Sequence, residues 1–226
     1  ADLSAVPTGP MILVANEFLD ALPTRQFQRT AEGWAERVIV PAPDGSLAFA
    51  TRAVNDAPVP IALAATAEIG AVFERSDAVD TFTRALARRL VSDGGAALVI
   101  DYGHAVTSLG DTLQAVKAHR YHDVLIDSGE ADITVHVDFA AVAQAARSQG
   151  AAVFGPVEQG VWLRRLGIAV RQLQLAQGKT ADQANTLAQG VRRLTDPHGM
   201  GLLFKVMAIA HPALTSLEGF MPEPSS

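Results

Sequence analysis

Two carboxylates and an amide follow directly after a short apolar run near the start of the chain. Met11 to Ala15 is continuously apolar, and Asn16, Glu17 and Asp20 come next. Such a run is typical of a buried parallel strand, whose end carries these side chains to the edge of a sheet. Two carboxylates there can bind a cation or the fork of donors on a guanidinium. A helix start, with Asn16 and Asp20 accepting backbone hydrogen bonds, is an equal alternative.

A second group of the same kind follows the apolar run from Ala96 to Ile100. Asp101, Tyr102 and Gly103 come directly after it, and Gly110-Asp111 lies a few residues on. A carboxylate at the end of a parallel strand is often a ligand or an acid–base group. The alternative is a simple turn in which Gly103 adopts a positive φ.

The histidines are the remaining side chains that could do chemistry. His136 and Asp138 fall at a predicted strand-to-helix junction, where a histidine can act as a base near neutral pH or be hydrogen-bonded without a further role. His104, His119 and His122 also have acids nearby, but no His-Glu-x-x-His spacing is present. We therefore predict no metal site.

Composition limits the classes of protein to consider. The chain has 226 residues, of which 49% are hydrophobic and 19% charged, as expected for a single globular domain over 1–226. There are 18 Lys and Arg against 24 Asp and Glu, so a general basic surface for nucleic acid is not expected. No apolar run approaches the ~20 residues of a membrane span. The absence of cysteine excludes thiol chemistry and disulfides.

Strand patterns alternate with helix patterns along the chain, which predicts an α/β sheet with ligands beyond the carboxyl ends of its strands. Residues 24–60 are punctuated by Gly and Pro and predict an antiparallel hairpin insertion. Ser76 to Ser92 is amphipathic and predicts a helix that stops at Gly94. Tyr102 to Asp132 is turn-rich and predicts a long loop or lid. Farther along, we predict helices over 138–149, 159–176 and 180–194, and strands over 151–154 and 201–211.

Three familiar fingerprints are absent from the sequence: Gly-x-Gly-x-x-Gly, the P-loop and Gly-x-Ser-x-Gly. Dinucleotide, triphosphate and α/β-hydrolase functions therefore lack their usual support. An α/β hydrolase or a metal-dependent enzyme using Asp101 and His136 stays a minor alternative.

An ordered set of motifs carries a more specific signal. In chain order they are Ala-Asn-Glu-Phe-Leu-Asp-Ala-Leu-Pro (15–23), Ile-Asp-Tyr-Gly (100–103), Gly-Asp-Thr-Leu-Gln-Ala (110–115), Gly-Glu-Ala-Asp-Ile-Thr-Val-His-Val-Asp-Phe (129–139) and Met-Gly-Leu-Leu-Phe-Lys (200–205). Together they resemble the MidA-like family of class I S-adenosylmethionine-dependent methyltransferases, over about Leu3 to Phe220. The mitochondrial member of that family is a respiratory complex I assembly factor that dimethylates an arginine.

The resemblance implies the C-terminal part of a Rossmann-like methyltransferase sheet, with helices on both faces and the hairpin region inserted. It places Asn16 near the cofactor S-adenosylmethionine, and Glu17 and Asp20 as the catalytic pair that grips the guanidinium. The implied substrate-binding residues are Asp101, Tyr102, Gly103, Gly110, Asp111, His136 and Asp138.

The resemblance also implies a protein substrate, such as a complex I subunit, and is compatible with a homodimer. It implies bacterial cytoplasm or, in a eukaryote, the mitochondrial matrix. Family members carry an upstream Gly-rich cofactor loop that has no counterpart here, and Ala1 falls just ahead of their fourth core strand. We therefore expect this chain to be a C-terminal portion that does not bind the cofactor properly alone. The alternative function is a non-catalytic assembly module that binds a partner subunit through the same cleft.

Overall fold

A mixed β-sheet forms the centre of the computed structural model, which describes residues 3–118 and 120–221. In chain order the elements are β1 (Met11–Asn16), β2 (Arg25–Arg29), β3 (Trp34–Pro41), β4 (Leu47–Ala53), α1 (Ile61–Thr66), β5 (Val72–Arg75), α2 (Asp77–Asp93), β6 (Gly95–His104), β7 (Gln114–Lys117), β8 (Arg120–His122), β9 (Asp132–Thr134), β10 (Val137–Asp138), α3 (Phe139–Arg147), β11 (Ala152–Glu158), α4 (Gln159–Arg165), α5 (Ile168–Ala176), α6 (Ala181–Thr195), α7 (Met200–Leu203) and β12 (Phe204–Ala210).

The central sheet has the strand order β1-β6-β12-β11, and β10 pairs with the end of β6. β1 and β6 are parallel, with Asn16 beside Ile100, whereas β12 is antiparallel to both of its neighbours. The two continuous apolar runs therefore form neighbouring strands, as predicted. Because β1 ends beside Ile100 while β6 continues to His104, the polar residues after β1 lie next to Asp101 and Tyr102 of β6.

Helices α2 and α3 pack on one face of this sheet. Leu86 and Leu90 of α2 and Phe139 of α3 are fully buried against Val99 and Met207. The helix predicted over 76–92 is confirmed: the Ser76 hydroxyl accepts the N–H of Val79, and Gly94 ends the helix with φ 89°. Burial of these large side chains is the main source of stability in a core of this kind.

Helices α4 and α7 lie against β11 and β12. Two predictions need correction here. The helix predicted over 159–176 is broken, because Gly167 adopts φ 80° between α4 and α5. The strand predicted over 201–211 begins only at Phe204, because Met200 to Leu203 form α7. Leucine and methionine are good helix formers, and the strand begins where the pattern becomes buried on both faces.

Strands β2 to β5 form a separate antiparallel sheet in the order β4-β3-β2-β5. We call it the inserted sheet. Its last strand, Val72–Arg75, was not predicted and returns the chain to α2. The loop predicted over 102–132 is wrong in part, because Tyr102 to His104 extend β6 and a small sheet in the order β8-β7-β9 follows. Short polar strands such as these leave little periodic signal in a sequence.

The outer edge of β1 pairs with no strand in the described part of the chain. Ile12 is 89% exposed and Val14 is 62% exposed on this strand. Among the described helices, none is both long and apolar enough to cross a membrane.

Candidate functional site

The turn after β1 carries the two exposed polar residues of the first motif. The Glu17 N–H donates to the Ile100 carbonyl at 2.9 Å, so the parallel ladder continues one residue past the strand. Glu17 has φ 48°, a left-handed conformation that is unfavourable for a residue with a side chain. The Asn16 amide donates to Glu17 Oε1 at 3.2 Å. Both side chains therefore lie at the exposed edge of the central sheet.

Asp101 lies directly beneath this turn and is 0% exposed. Its Oδ2 accepts the backbone N–H groups of Phe18 at 3.2 Å, Leu19 at 3.0 Å and Asp20 at 3.3 Å. Burial, and next the charge of Asp20, raise the pKa of Asp101 to about 7, although the backbone hydrogen bonds oppose this shift. Asp101 thus holds the turn in place, and both of its carboxylate oxygens already accept backbone N–H groups, since Oδ1 accepts that of Tyr102 at 3.0 Å.

Asp20 and Tyr102 form a buried pair beside Asp101. The Tyr102 hydroxyl donates to Asp20 Oδ2 at 2.6 Å. Burial raises the pKa of Tyr102, and the hydrogen bond to Asp20 raises it further. Asp20 is only 4% exposed, yet its Oδ1 has no hydrogen-bond partner among the described residues. Burying a carboxylate oxygen without a hydrogen-bond donor is energetically costly unless a ligand donates to it. Oδ1 of Asp20 is therefore a candidate acceptor for a cationic ligand.

The loop after β6 is fastened to the inserted sheet. The Gly110 N–H donates to the Val72 carbonyl at 2.8 Å. Asp111 accepts from Gln26 at 2.9 Å and from Arg37 at 2.7 Å. Glu74 of β5 accepts the Thr112 N–H at 3.0 Å and its hydroxyl proton. Gly110 and Asp111 therefore position the inserted sheet over the strand ends.

A cavity of about 440 Å³ opens between β5, α2, α3 and this loop. Of the residues predicted for substrate binding, Gly110, His136 and Asp138 line it, together with His104. Burial, and next the charge of His104, lower the pKa of His136, so its imidazole is neutral at pH 7. The remaining predicted residues do not line the cavity; they are Asn16, Glu17, Asp20, Asp101, Tyr102, Gly103 and Asp111.

The structure thus separates the predicted residues into two neighbouring groups. Leu19, in the turn held by Asp101, lines the cavity wall and is 1% exposed. The ring of Tyr102 packs edge-on against His136, with ring centres 5.5 Å apart. Leu19 and Tyr102 therefore contact both groups: Leu19 belongs to the Glu17–Asp20 turn and lines the cavity, and Tyr102 bonds Asp20 and packs against His136.

Gln26 and Glu74 were not predicted as members of this region, and His104 was considered only among possible metal ligands. Gln26 is buried in the middle of β2 and bridges Glu74 and Asp111. A strand with alternating polar residues gives no sign of which polar face is buried, since that depends on pairing between distant segments. His104 had a usable signal, because it directly follows Asp101-Tyr102-Gly103 at the same strand end.

Gly103 has a packing role that gives a stability test. It pairs with Val137 where β10 joins β6, and an added Cβ would lie 2.0 Å from the Val137 carbonyl oxygen. We expect Gly103→Ala to lower the free energy of unfolding by about 1–3 kcal/mol, measured by urea denaturation. Gly190→Ala is the matched control, because a Cβ on this glycine of α6 meets nothing within 4 Å. It should stabilise the protein by ~0.5–1 kcal/mol; equal losses in both variants would contradict the packing role.

Among residues 3–118 and 120–221, no group of three or more His, Asp or Glu side chains is arranged to hold a metal ion. His119, one of the histidines considered above, lies outside the described residues.

Known structures share this arrangement of sheet and helices. A crystal structure from Burkholderia thailandensis, described as a 'likely methyl transferase' bound to S-adenosyl-homocysteine, superimposes with a TM-score of 0.82 at 30% identity. It covers 96% of this chain, which covers 58% of that one. A native crystal structure from the same organism gives a TM-score of 0.83 at 31% identity. The fold is therefore the Rossmann-like α/β fold of class I methyltransferases.

Sequence comparison gives the family. The model for the family "Putative S-adenosyl-L-methionine-dependent methyltransferase" matches residues 1–157. The chain is 38% identical over 218 residues to protein arginine methyltransferase NDUFAF7, mitochondrial, of Rattus norvegicus, and 36% identical over 213 residues to the Drosophila melanogaster homolog. The chain belongs to this methyltransferase family, as the motifs indicated. It spans about half the length of these curated relatives, 48% of each.

Proposed function

We propose that the chain is the acceptor-side part of an S-adenosylmethionine-dependent protein arginine methyltransferase. The observation that carries this proposal is Asp20 Oδ1, a buried carboxylate oxygen without a donor, held by Tyr102 one turn from the exposed Glu17. A planar guanidinium offers several N–H donors and can bond two carboxylates at once. The names of the NDUFAF7 relatives support an arginine acceptor.

The side chains of the turn and of the cavity then have separate roles in methyl transfer. Bound S-adenosylmethionine supplies a methyl group on a positively charged sulfur, and Asn16 would contact it at the end of β1. Asp20 and Glu17 orient the guanidinium so that one nitrogen faces the methyl carbon, because an in-line displacement depends on alignment. Glu17 accepts the proton that this nitrogen loses once its bond to carbon has formed. Asp101 positions the turn. Asp138 and the neutral imidazole of His136 contact the substrate chain in the cavity.

The names of the relatives support a proposal for the partner and the location. We propose a protein substrate, such as a subunit of respiratory complex I, and a homodimer as the working assembly. The named relatives are mitochondrial; a bacterial member would act in the cytoplasm. The insertion over 24–60 would contact the substrate protein.

Calorimetric titration of S-adenosyl-homocysteine tests the proposal. The 226-residue chain and the longest native form of the protein are titrated side by side. We expect binding by the longer form and at least ~100-fold weaker binding by the 226-residue chain, since Asn16 is the one proposed cofactor contact within it. Failure of the longer form to bind would overturn the methyltransferase proposal and favour the non-catalytic assembly module.

A further inference from the structure

The outer edge of β4 is long and regular. Its inner side pairs with β3 in one unbroken register from Ala35–Ala53 to Pro41–Leu47. Its outer side pairs with no strand in the part of the chain that the structure describes. Unprotected edges present unpaired N–H and C=O groups that another strand can use, and proteins usually block them with proline, lysine or a bulge. Residues 47–53 contain no proline, lysine or bulge, and Arg52 is their one charged residue.

Apolar side chains flank this edge on one face of the inserted sheet. Leu47 and Phe49 of β4 are 39% and 40% exposed, and Ile39, directly opposite Phe49 on β3, is 52% exposed. Arg37 lies over the Phe49 ring at 4.8 Å and fixes its orientation. A strand added to β4 would place every second side chain beside Leu47 and Phe49.

The other face of the edge has excess positive charge. Arg25 and Arg52 share the single carboxylate of Glu36, at 2.6 Å and 2.5 Å. These two bonds lower the pKa of Glu36 to about 2, so its carboxylate carries one full negative charge at neutral pH. The Arg52 side chain, on β4 itself, remains 66% exposed. Arg25 also lies 3.9 Å from Asp77, which pairs with Arg75 at 2.8 Å. Three arginines therefore share two carboxylates, and the group carries one excess positive charge. The exposed end of Arg52 is where a carboxylate on an added strand could reach this group.

We propose that the outer edge of β4 binds an extended acidic segment of a partner protein by strand addition. The bound segment has apolar residues beside Leu47 and Phe49 and a carboxylate facing Arg52. Backbone hydrogen bonds to β4 supply affinity, and the two faces supply specificity. This interaction does not depend on methyl transfer.

Synthetic peptides provide the probe. The first is a fluorescein-labelled nine-residue peptide that alternates valine and threonine and carries one glutamate among its threonines. In the second peptide lysine replaces the glutamate. In the third, alternate backbone nitrogens of the first are methylated, which removes the edge hydrogen bonds but keeps the side chains. With the full-length protein, fluorescence polarisation should show binding of the glutamate peptide, at least about fivefold weaker binding of the lysine peptide and none of the methylated peptide.

Variants of the protein locate the binding site. Phe49→Thr should weaken binding of the glutamate peptide at least about fivefold. Arg52→Gln should abolish the preference for glutamate over lysine, while Arg25 still pairs with Glu36. Val170→Thr is the matched control, because Val170 of α5 is 60% exposed and distant in sequence from the inserted sheet; it should leave binding unchanged.

Several results would overturn the proposal. These are no binding of the glutamate peptide, equal binding of the methylated peptide, or affinities unchanged in both Phe49→Thr and Arg52→Gln. Sedimentation velocity supplies the last test. Self-association that Phe49→Thr abolishes would show that a second copy of the chain occupies this edge instead.

Discussion

A Glu17→Gln variant of the full-length protein is expected to lose methyl transfer by about 100-fold or more. Glutamine keeps the length of the side chain and the left-handed backbone at φ 48°, but it cannot accept the proton released by the guanidinium. Binding of S-adenosyl-homocysteine should stay within a few-fold. Transfer of labelled methyl to the acceptor protein and calorimetric titration measure the two quantities separately.

Glu68→Gln is the matched control for this experiment. Glu68 is exposed and lies in the connection between α1 and β5, away from the strand ends. The same loss of a carboxylate there should leave both rate and binding unchanged. Parallel loss of methyl transfer and cofactor binding in Glu17→Gln would instead mean that Glu17 supports the cofactor or the fold, and its assignment as the proton acceptor would be wrong.

Replacing Asp101 should have the largest effect on stability. Asp101→Ala removes the acceptor of the Phe18, Leu19 and Asp20 N–H groups and leaves them buried without partners. We expect the free energy of unfolding to fall by about 3–5 kcal/mol, measured by urea denaturation. Asp56→Ala, at an exposed turn, is the control and should change stability by less than ~0.5 kcal/mol. Similar values for the two variants would show that Asp101 does not hold the turn.

The same residue gives a pH dependence of known sign. The pKa of Asp101 is about 7 in the folded protein, above the ordinary value of 3.8. The folded state therefore binds the proton more tightly, and this contribution to stability is complete below pH 4 and is lost as pH rises through 7. Wild type should lose up to about 4 kcal/mol relative to Asp101→Asn between pH 4 and pH 8. An unchanging difference between the two proteins would contradict the raised pKa.

The elements that could be predicted from the sequence are those with local signals. The runs starting at Met11 and Ala96 are apolar without interruption, and both form strands as predicted. The expectation that the first run is buried is wrong for one face of β1, where Ile12 and Val14 are exposed. Ser76 and Gly94 marked the ends of α2 because helix caps depend on neighbouring residues alone. Thr180 likewise begins α6 with a complete capping box with Gln183. In each case the residues that determine the structure are close in sequence.

Elements that depend on distant pairing were missed. Strands β7, β8 and β9 have three or four residues each and include charged side chains such as Lys117 and Asp132. Nothing in such segments distinguishes a strand from a loop until the partner strand is known. Strand β5 escaped notice for the same reason: Phe73 is buried only because Phe27 of β2 lies opposite it.

For the candidate site, the positions of the residues along the sheet could be predicted from the sequence, but their exposure to solvent could not. The motifs placed Asn16 to Asp20 and Asp101 to Tyr102 at adjacent strand ends, and the structure has them there. It could not be foreseen that Asp20 and Asp101 are buried, whereas Glu17 is exposed. Burial of a carboxylate is set by the turn and the loops above it, which come from distant parts of the chain.

The left-handed backbone at Glu17 lowers the stability of the fold, whereas the carboxylate at this position is needed for the proposed chemistry. A residue with a side chain in the left-handed region costs of order 1 kcal/mol that glycine would not. Selection for heat resistance alone would thus favour glycine at position 17, and the carboxylate would disappear with the strain. On the proposed role of Glu17 as proton acceptor, thermostable relatives that methylate are expected to keep an acidic residue at this position in spite of the strain, and relatives that keep only the fold are expected to lose it.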